Sequence, residues 1–343
     1  MHPFFQNYGL FLAKTATLTI AISVLITFIV AAIRASRSDG GSEAEGRFRI
    51  KHLNERIERH AWEINEAILD KAGLKQERRR LKRERRDAKH AAAQKRRVFV
   101  LDFDGDLGAS RVSGLREEIS LLLQVLREGD EVLLRLESGG GTIPGYGLAA
   151  SQLSRIRDRG FRLTISVDKI AASGGYMMAS VGQRIIAAPF AIIGSIGVVA
   201  QLPNFNRLLR RNDIDFELHT AGEFKRTLTM FGENTDAGRE KFREELEDAH
   251  KLFKSFLAEN RPKLALDHVA TGEHWYGLRA LNLGLIDEVR TSDDFLLERI
   301  KECEVFELHY RPRRSLSERL SQGLARLRAG AMPGLLTGNN GMV

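Results

Sequence analysis

A serine that could act as a nucleophile lies in the segment "DKIAASGGYMMAS", residues 168–180. Ser173 follows a strand-like apolar run and precedes a helical one, which predicts that its oxygen lies beside the unpaired N–H groups of a helix N-terminus. Gly174 and Gly175 would let a substrate backbone approach closely. A serine that only caps the helix explains the same pattern, so these residues alone favour neither interpretation.

A serine nucleophile needs a base, and no histidine lies near Ser173 in the sequence. Ser–Lys pairs can replace Ser-His-Asp, provided that burial or a nearby cation lowers the lysine pKa from about 10.4. The segment "ELHTAGEFKRTLTMFGENT", residues 217–235, offers Lys225 in a region of Gly and Thr. Lys169 is nearer in sequence, but it precedes the turn and is expected on the surface, so it is the weaker candidate.

Three consecutive glycines follow a strand-like run in "LESGGGTIPGYG", residues 136–147. Such a turn can direct backbone N–H groups at a developing negative charge. It does not continue into Gly-Lys-Ser/Thr, so it is not a nucleotide-binding P-loop. Its value as an oxyanion site depends on a nucleophile lying opposite.

A second possible chemistry is carried by "VFVLDFDGDL", which places Asp102 and Asp104 at the end of an apolar strand. The pair resembles the first motif of haloacid-dehalogenase-type phosphatases, in which two aspartates act with magnesium. Asp106 stands where that motif has threonine, and "SDD" at 292–294 is the only acidic doublet that could complete it. The pattern therefore favours an exposed turn at a strand end.

The segments before these motifs predict a membrane anchor and a stalk. Residues 1–45 hold a transmembrane helix at about 12–33, including eighteen uncharged residues from Ala16 to Ile33, and then a polar linker. Residues 46–97 predict a stalk with one long helix at about Arg49–Lys95 and a net charge of +10, against +8 for the whole chain. Lipid contact is a second role for this helix. Nucleic-acid binding is not expected, because no aromatic residues are interleaved among its arginines and the rest of the chain is slightly acidic.

From residue 98 to about 310, short strand-like runs alternate with helical ones, which predicts an α/β domain with parallel pairing. The strand-like runs are "VFVLDF", "EVLLRLE", "RLTISVD", "RIIAA" and "SIGVVA" (195–200), and residues 237–261 predict an amphipathic helix. Cys303 is the one cysteine, so no intrachain disulfide and no cysteine metal cluster can form. Residues 311–343 predict a basic amphipathic tail that becomes disordered.

Taken in order, these motifs resemble the signal-peptide-peptidase A family of membrane serine proteases, most closely its SohB-type members, over about residues 45–300. The motifs are "LDFDGDL", "RLESGGG", "AASGGYMMAS", "GSIGVV", "AGEFKRTLTMFGENT" and "ALNLGLIDEV". The resemblance implies a ClpP/crotonase-like spiral of β-β-α units. It implies Ser173 as nucleophile, Lys225 as general base, Ser195 as the residue that orients the lysine amine, and the N–H groups of Gly140 and Gly174 as the oxyanion hole.

The resemblance further implies peptide substrates with small or apolar residues at the cut, such as signal-peptide remnants, a homo-oligomeric ring, and no metal or nucleotide cofactor. It places the catalytic domain outside the cytoplasm of a bacterial inner-membrane protein. Arg34 and Arg37, which follow the predicted span, instead favour a cytoplasmic domain.

One position departs from the family pattern. The family has Ser-Pro-Gly-Gly at the glycine turn, and this chain has Gly139 in place of the proline. The change makes the turn less rigid but removes no N–H donor. An inactive membrane scaffold of the same fold and the Asp102/Asp104 phosphatase are the alternatives.

Overall fold

The computed structural model describes residues 11–12, 14–20, 22–23, 46–91, 95–222 and 224–312. The chain divides into two units, residues 1–47 with 311–343 and residues 48–310. In the first unit the described residues between 11 and 23 are helical. No helix in the described ranges is long and apolar enough to cross a membrane. Most of the predicted span at 12–33, the polar linker and the tail from residue 313 lie outside the described residues.

Strands and helices alternate through the second unit. The strands are β1 (Arg47–His52), β2 (Arg97–Gly105), β3 (Glu131–Ser138), β4 (Arg162–Val167), β5 (Ile170–Ala172), β6 (Arg184–Ala187), β7 (Ile192–Gly194), β8 (His274–Tyr276), β9 (Glu288–Val289) and β10 (Glu304–Arg311). The helices are α1 (Leu53–Ile68), α2 (Lys71–Ala91), α3 (Val112–Val125), α4 (Ile143–Arg157), α5 (Gly174–Ser180), α6 (Asn206–Arg211), α7 (Asp236–Asn260), α8 (Leu266–Val269), α9 (Gly277–Asn282) and α10 (Ser292–Glu302).

The strands form one sheet with the order β1-β10-β2-β3-β4-β6-β9, and β2, β3, β4, β6 and β9 pair in parallel. β3 pairs with β4 up to Arg135↔Ser166, and its last residue then pairs with β5 through Ser138↔Ala171. β5 pairs with β7, and β7 pairs antiparallel with β8. The end of β3 thus connects the main sheet to the short strands that precede Ser173. The predicted α/β class with parallel pairing is confirmed.

The central strands are buried on both faces, as near-continuous apolar runs predict. Phe99, Leu101 and Phe103 of β2 point into the larger core, whereas Val98 and Val100 point into a smaller one on the opposite face. Buried residues of α3, α4 and α5 complete the larger core. The helix that follows Ser173 is therefore held by the main core of the domain.

The predicted single long stalk helix is wrong. Residues 47–52 form β1, and the helical part is broken after Ile68, where Leu69 is extended and the Asp70 carboxylate accepts the Gly73 N–H at 2.7 Å. The Arg78 guanidinium lies 5.1 Å from the Trp62 ring centroid. A continuous helix would separate these two residues by about 24 Å along its axis. An N-capping aspartate therefore starts a second helix that turns back towards the first.

The strand predicted over residues 195–200 is also wrong in its position. β7 ends at Gly194, whose φ is +106°, and Ser195 has a φ of +52°. Two consecutive left-handed residues cannot continue a strand. The predicted amphipathic helix is confirmed as α7, Asp236–Asn260.

Candidate active site

Ser173 lies in a strained turn between β5 and α5. Its φ and ψ are +52° and −119°, a conformation that residues with side chains rarely adopt. Its N–H donates to the Gly194 carbonyl at 2.8 Å, and its carbonyl accepts the Met177 N–H at 2.9 Å. Its side chain makes no capping hydrogen bond to the helix. The structure therefore does not support the interpretation that this serine only caps the helix.

The glycines after Ser173 are needed for packing. A β-carbon on Gly174 would overlap Cγ of Tyr146, and one on Gly175 would lie 2.6 Å from the Ser138 carbonyl oxygen. Both positions thus face the protein interior, which differs from the expected role of admitting a substrate backbone. The Gly174 N–H has no hydrogen-bond partner among the described residues. It is free to act as the predicted oxyanion donor.

The glycine turn lies against the Ser173 turn. Gly140 has a φ of +88°, and a β-carbon there would lie 2.7 Å from the Ser173 β-carbon and 2.9 Å from the Gly174 nitrogen. The structure thus brings three of the predicted site residues together. The Gly140 N–H, however, donates to Ser138 Oγ at 3.1 Å, so the second predicted oxyanion donor already has an acceptor.

A buried tyrosine lies behind this turn. Tyr146 has no exposed surface, and its hydroxyl contacts Ser138 Oγ at 2.5 Å and donates to the Asp106 carbonyl at 2.8 Å. Burial raises the pKa of the Tyr146 phenol, so it keeps its proton at neutral pH. Ser138 and Tyr146 lie in the segment "LESGGGTIPGYG", whose pattern indicates no role for either residue. The available signal was a tyrosine in a region of glycines, because a buried phenol requires a polar partner.

Ser195 follows β7, the neighbour of the strand that precedes Ser173. β5 and β7 pair through Ala172↔Gly194, and the Ser195 N–H donates to the Glu273 carbonyl at 2.6 Å. The two serines therefore come directly after paired ends of adjacent strands, and both have a φ of +52°. This arrangement holds both residues at the same edge of the sheet.

Lys225 lies on a different segment of the chain from these residues. It is in an irregular segment between α6 and α7, its N–H donates to the Gly222 carbonyl at 3.2 Å, and its side chain is exposed. Among the described residues, no hydrogen bond or ion pair joins its amine to Ser173 or Ser195. The described contacts therefore do not connect the predicted base to the predicted nucleophile.

The weaker candidate base has an ion-pair partner. The Lys169 amine donates to both carboxylate oxygens of Glu137 at 3.0 Å, and both side chains are exposed. This geometry places Lys169 on the surface, where the sequence predicts it.

Two of the three aspartates of "LDFDGDL" have side-chain partners. Asp102 accepts two hydrogen bonds from Arg135 at 2.6 and 2.9 Å. Burial alone would lower the pKa of the guanidinium, but these hydrogen bonds and the charges of Asp102 and Glu307 outweigh it and raise that pKa. Asp106 accepts the Ser110 N–H and hydroxyl at 2.7 and 2.6 Å, which lowers the pKa of its carboxyl. In the part of the chain that the structure describes, no group of three or more His, Cys, Asp or Glu could hold a metal ion. No observation here favours the phosphatase alternative.

Comparison with known proteins shows that this chain is a protease. The model of the Peptidase family S49 N-terminal region matches residues 3–153, and that of Peptidase family S49 matches residues 155–305. The chain is 45% identical to the probable protease SohB of Haemophilus influenzae, over 94% of this chain and 93% of that relative. It is 60% identical to the probable protease SohB of Buchnera aphidicola subsp. Acyrthosiphon pisum, over 66% of this chain and 68% of that relative. The chain belongs to peptidase family S49.

Among solved structures, the chain is similar to a variant of the 1510-N membrane-bound stomatin-specific protease in complex with a substrate peptide. The identity is 16%, the TM-score is 0.42, and the match covers 68% of this chain and 99% of that one.

Proposed function

We propose that this chain is a membrane-anchored serine endopeptidase in which Ser173 is the nucleophile and Lys225 the general base. The observation that carries the proposal is the strained turn at Ser173, whose hydroxyl does not cap its helix and which lies against the glycine turn. Strain of this kind is typical of functional sites, because the surrounding fold must hold it in place. The ClpP/crotonase-like spiral implied by the family resemblance is part of the same proposal.

The proposed reaction is acyl transfer to Ser173. The Lys225 amine takes the Ser173 hydroxyl proton as the oxygen attacks the substrate carbonyl carbon. The N–H groups of Gly174 and Gly140 stabilise the oxyanion, Gly140 by sharing its hydrogen with Ser138. The C–N bond then breaks, and the lysine gives its proton to the leaving amine. A water then gives a proton to Lys225 as its oxygen attacks the acyl carbon. The bond between the acyl carbon and Ser173 Oγ breaks, and Lys225 returns the proton to Ser173 Oγ.

The exposure of Lys225 bears on how the site is completed. A lysine serves as a base when burial favours its neutral form, and Lys225 is exposed in the single chain. Large apolar side chains on the same segment are also exposed, namely Phe216, Phe224, Met230 and Phe231. We therefore propose that a second copy of the chain covers this segment and that the active enzyme is a homo-oligomer.

The remaining parts of the proposal come from the sequence. The predicted span at 12–33 anchors the chain in a bacterial inner membrane, and the substrates are peptides with small or apolar residues, such as signal-peptide remnants. The family resemblance favours a periplasmic catalytic domain. A reporter enzyme fused after residue 45 tests this, because an active cytoplasmic reporter would reverse the assignment.

The catalytic proposal is tested with the full-length chain in detergent. Peptide hydrolysis and labelling by a fluorophosphonate are measured for the wild type, Ser173→Ala and Lys225→Ala, with Lys169→Ala as the matched lysine control. We expect hydrolysis to fall by at least about a thousandfold in the first two variants and to persist in the third. Wild-type hydrolysis in both Ser173→Ala and Lys225→Ala would rule out the dyad. A wild type that neither hydrolyses nor is labelled would support the inactive scaffold.

A further inference from the structure

A chain of hydrogen bonds runs from the glycine turn into the core. Tyr146 donates its hydroxyl hydrogen to the Asp106 carbonyl at 2.8 Å, so Ser138 must be the donor in the 2.5 Å contact between the two hydroxyls. The lone pairs of Ser138 Oγ are then available to the Gly140 N–H at 3.1 Å. Through Ser138, the peptide between Gly139 and Gly140 is thereby connected by hydrogen bonds to the fully buried side chain of Tyr146.

The end of β2 and the loop that follows it pack against the glycine turn. A β-carbon on Gly105, the last residue of β2, would lie 2.5 Å from both Ser138 Oγ and the Tyr146 hydroxyl oxygen, so only glycine lets the strand end approach them. The Leu107 carbonyl accepts the Thr142 N–H at 2.9 Å. A β-carbon on Gly141 would overlap that same carbonyl. The "DFDGDL" motif, which has no catalytic role in the proposed function, therefore packs directly against the glycine turn.

We propose that Ser138 and Tyr146 are positioning residues that hold the turn of residues 139–141 opposite Ser173. This inference rests on the proposed function, because it assigns the turn to the oxyanion site. Ser138 fixes the orientation of the Gly140 N–H until a substrate oxygen shares that hydrogen. Tyr146 also packs against Gly174, so one buried side chain supports both proposed oxyanion donors. The pair supplies the rigidity that the family pattern obtains from proline at position 139.

The structure has room for a β-carbon at position 139. A β-carbon on Gly139 would meet only Ile170 Cδ1, at 3.9 Å, and the φ of Gly139 lies outside the left-handed region. Ser138 ends a strand, and extended backbone is the conformation that a residue before proline requires. Gly139→Pro is therefore expected to stiffen the turn.

The test is Tyr146→Phe in the full-length chain, with Tyr176→Phe as the matched control. Tyr176 is equally buried and also donates to a backbone carbonyl, that of Leu285 at 2.8 Å. We expect Tyr146→Phe to lower kcat and the rate of fluorophosphonate labelling of Ser173 by about 10- to 100-fold, with KM changed less than about twofold. Tyr176→Phe is expected to lower Tm by a similar amount and to leave both rates unchanged.

Rescue separates positioning from stability. Gly139→Pro added to Tyr146→Phe is expected to restore most of the labelling rate, and Ser138→Ala serves in the same design if Tyr146→Phe does not fold. Unchanged labelling in Tyr146→Phe, an equal loss in Tyr176→Phe, or no recovery with Gly139→Pro would each overturn the inference. Absence of labelling at Ser173 in the wild type would instead overturn the proposed function and this role with it.

Discussion

Gly140 and Ser173 come so close that a β-carbon on the glycine would lie 2.7 Å from the β-carbon of the serine. The two residues belong to different turns, which follow β3 and β5. These strands pair only through Ser138↔Ala171, and Gly140 and Ser173 each lie two residues beyond the paired residue of their own strand. Parallel pairing alone therefore brings both turns to the same edge of the sheet.

Gly140→Ala tests this proximity. The added carbon would contact Ser173 and the Ala172 carbonyl oxygen, and the φ of +88° is unfavourable for alanine. We expect kcat for peptide hydrolysis to fall by about a hundredfold or more. Overpacking is also expected to lower the free energy of unfolding by about 1–3 kcal/mol.

Gly147→Ala is the control for this substitution. Gly147 lies in α4, and a β-carbon there would meet nothing within 4 Å. We expect its kcat to stay unchanged and its free energy of unfolding to rise by up to about 1 kcal/mol, since alanine favours a helix. A Gly140→Ala enzyme as active as Gly147→Ala would show that the turn does not take part in catalysis.

The sheet could be predicted from the sequence because its central strands are continuous apolar runs. β2, β3, β4 and β6 lie where those runs are, and the change from strand to helix at Ser173 follows the pattern. The stalk and β7 could not be placed correctly. Their ends depend on single residues, the capping carboxylate of Asp70 and the left-handed backbone of Ser195, which hydrophobic periodicity does not register.

The candidate site was predictable in part for a similar reason. Ser173 and Gly140 stand at strand ends, so pairing of the strands fixes their proximity. The support from Tyr146 depends on the conformation of the turn, and no spacing rule indicates which carbonyl a buried phenol will reach. Lys225 lies in an exposed segment. In the proposed assembly, a second copy of the chain covers that segment. The family resemblance identifies Lys225 from the order of the motifs, but it does not give the distance between Lys225 and Ser173.

Mixing two inactive variants tests where Lys225 acts. If each site combines Ser173 of one copy with Lys225 of another, coexpressed Ser173→Ala and Lys225→Ala chains form some complete sites. Random assembly in equal amounts predicts about a quarter of the wild-type activity for a head-to-tail ring. Peptide hydrolysis of the purified mixed oligomer measures this fraction.

The control for mixing is a chain that carries both substitutions. Coexpressed with Ser173→Ala, it supplies no intact serine, so we expect no activity. A mixed oligomer of the two single variants that is equally inactive would show that serine and lysine come from the same chain, which would then have to fold Lys225 inwards.

The ion pair of Asp287 and Arg261 predicts a defined pH dependence of stability. Both carboxylate oxygens accept from the guanidinium at 2.8 Å, and one also accepts the Ile185 N–H at 2.7 Å. Burial alone would raise the pKa of Asp287, but these hydrogen bonds and the charge of Arg261 outweigh it and lower the pKa below 3.8. The pair connects the end of α7, which packs against α5, to the strand β6. It therefore stabilises the layer that supports the Ser173 turn.

A carboxyl whose folded pKa is depressed contributes stability above its unfolded pKa, and this contribution is lost as the pH falls through the folded pKa. Asp287→Asn is thus expected to lower the free energy of unfolding by about 1 kcal/mol at pH 7, a modest figure because the carboxylate is partly exposed and screened. The difference in stability between the variant and the wild type is expected to shrink as the pH falls below about 4.

Thermal unfolding from pH 7 down to pH 3 measures this difference, with Asp158→Asn as the control for an exposed aspartate paired to its neighbour Arg157. A difference in Tm that stays constant over this range would show that the charge of Asp287 does not stabilise the fold.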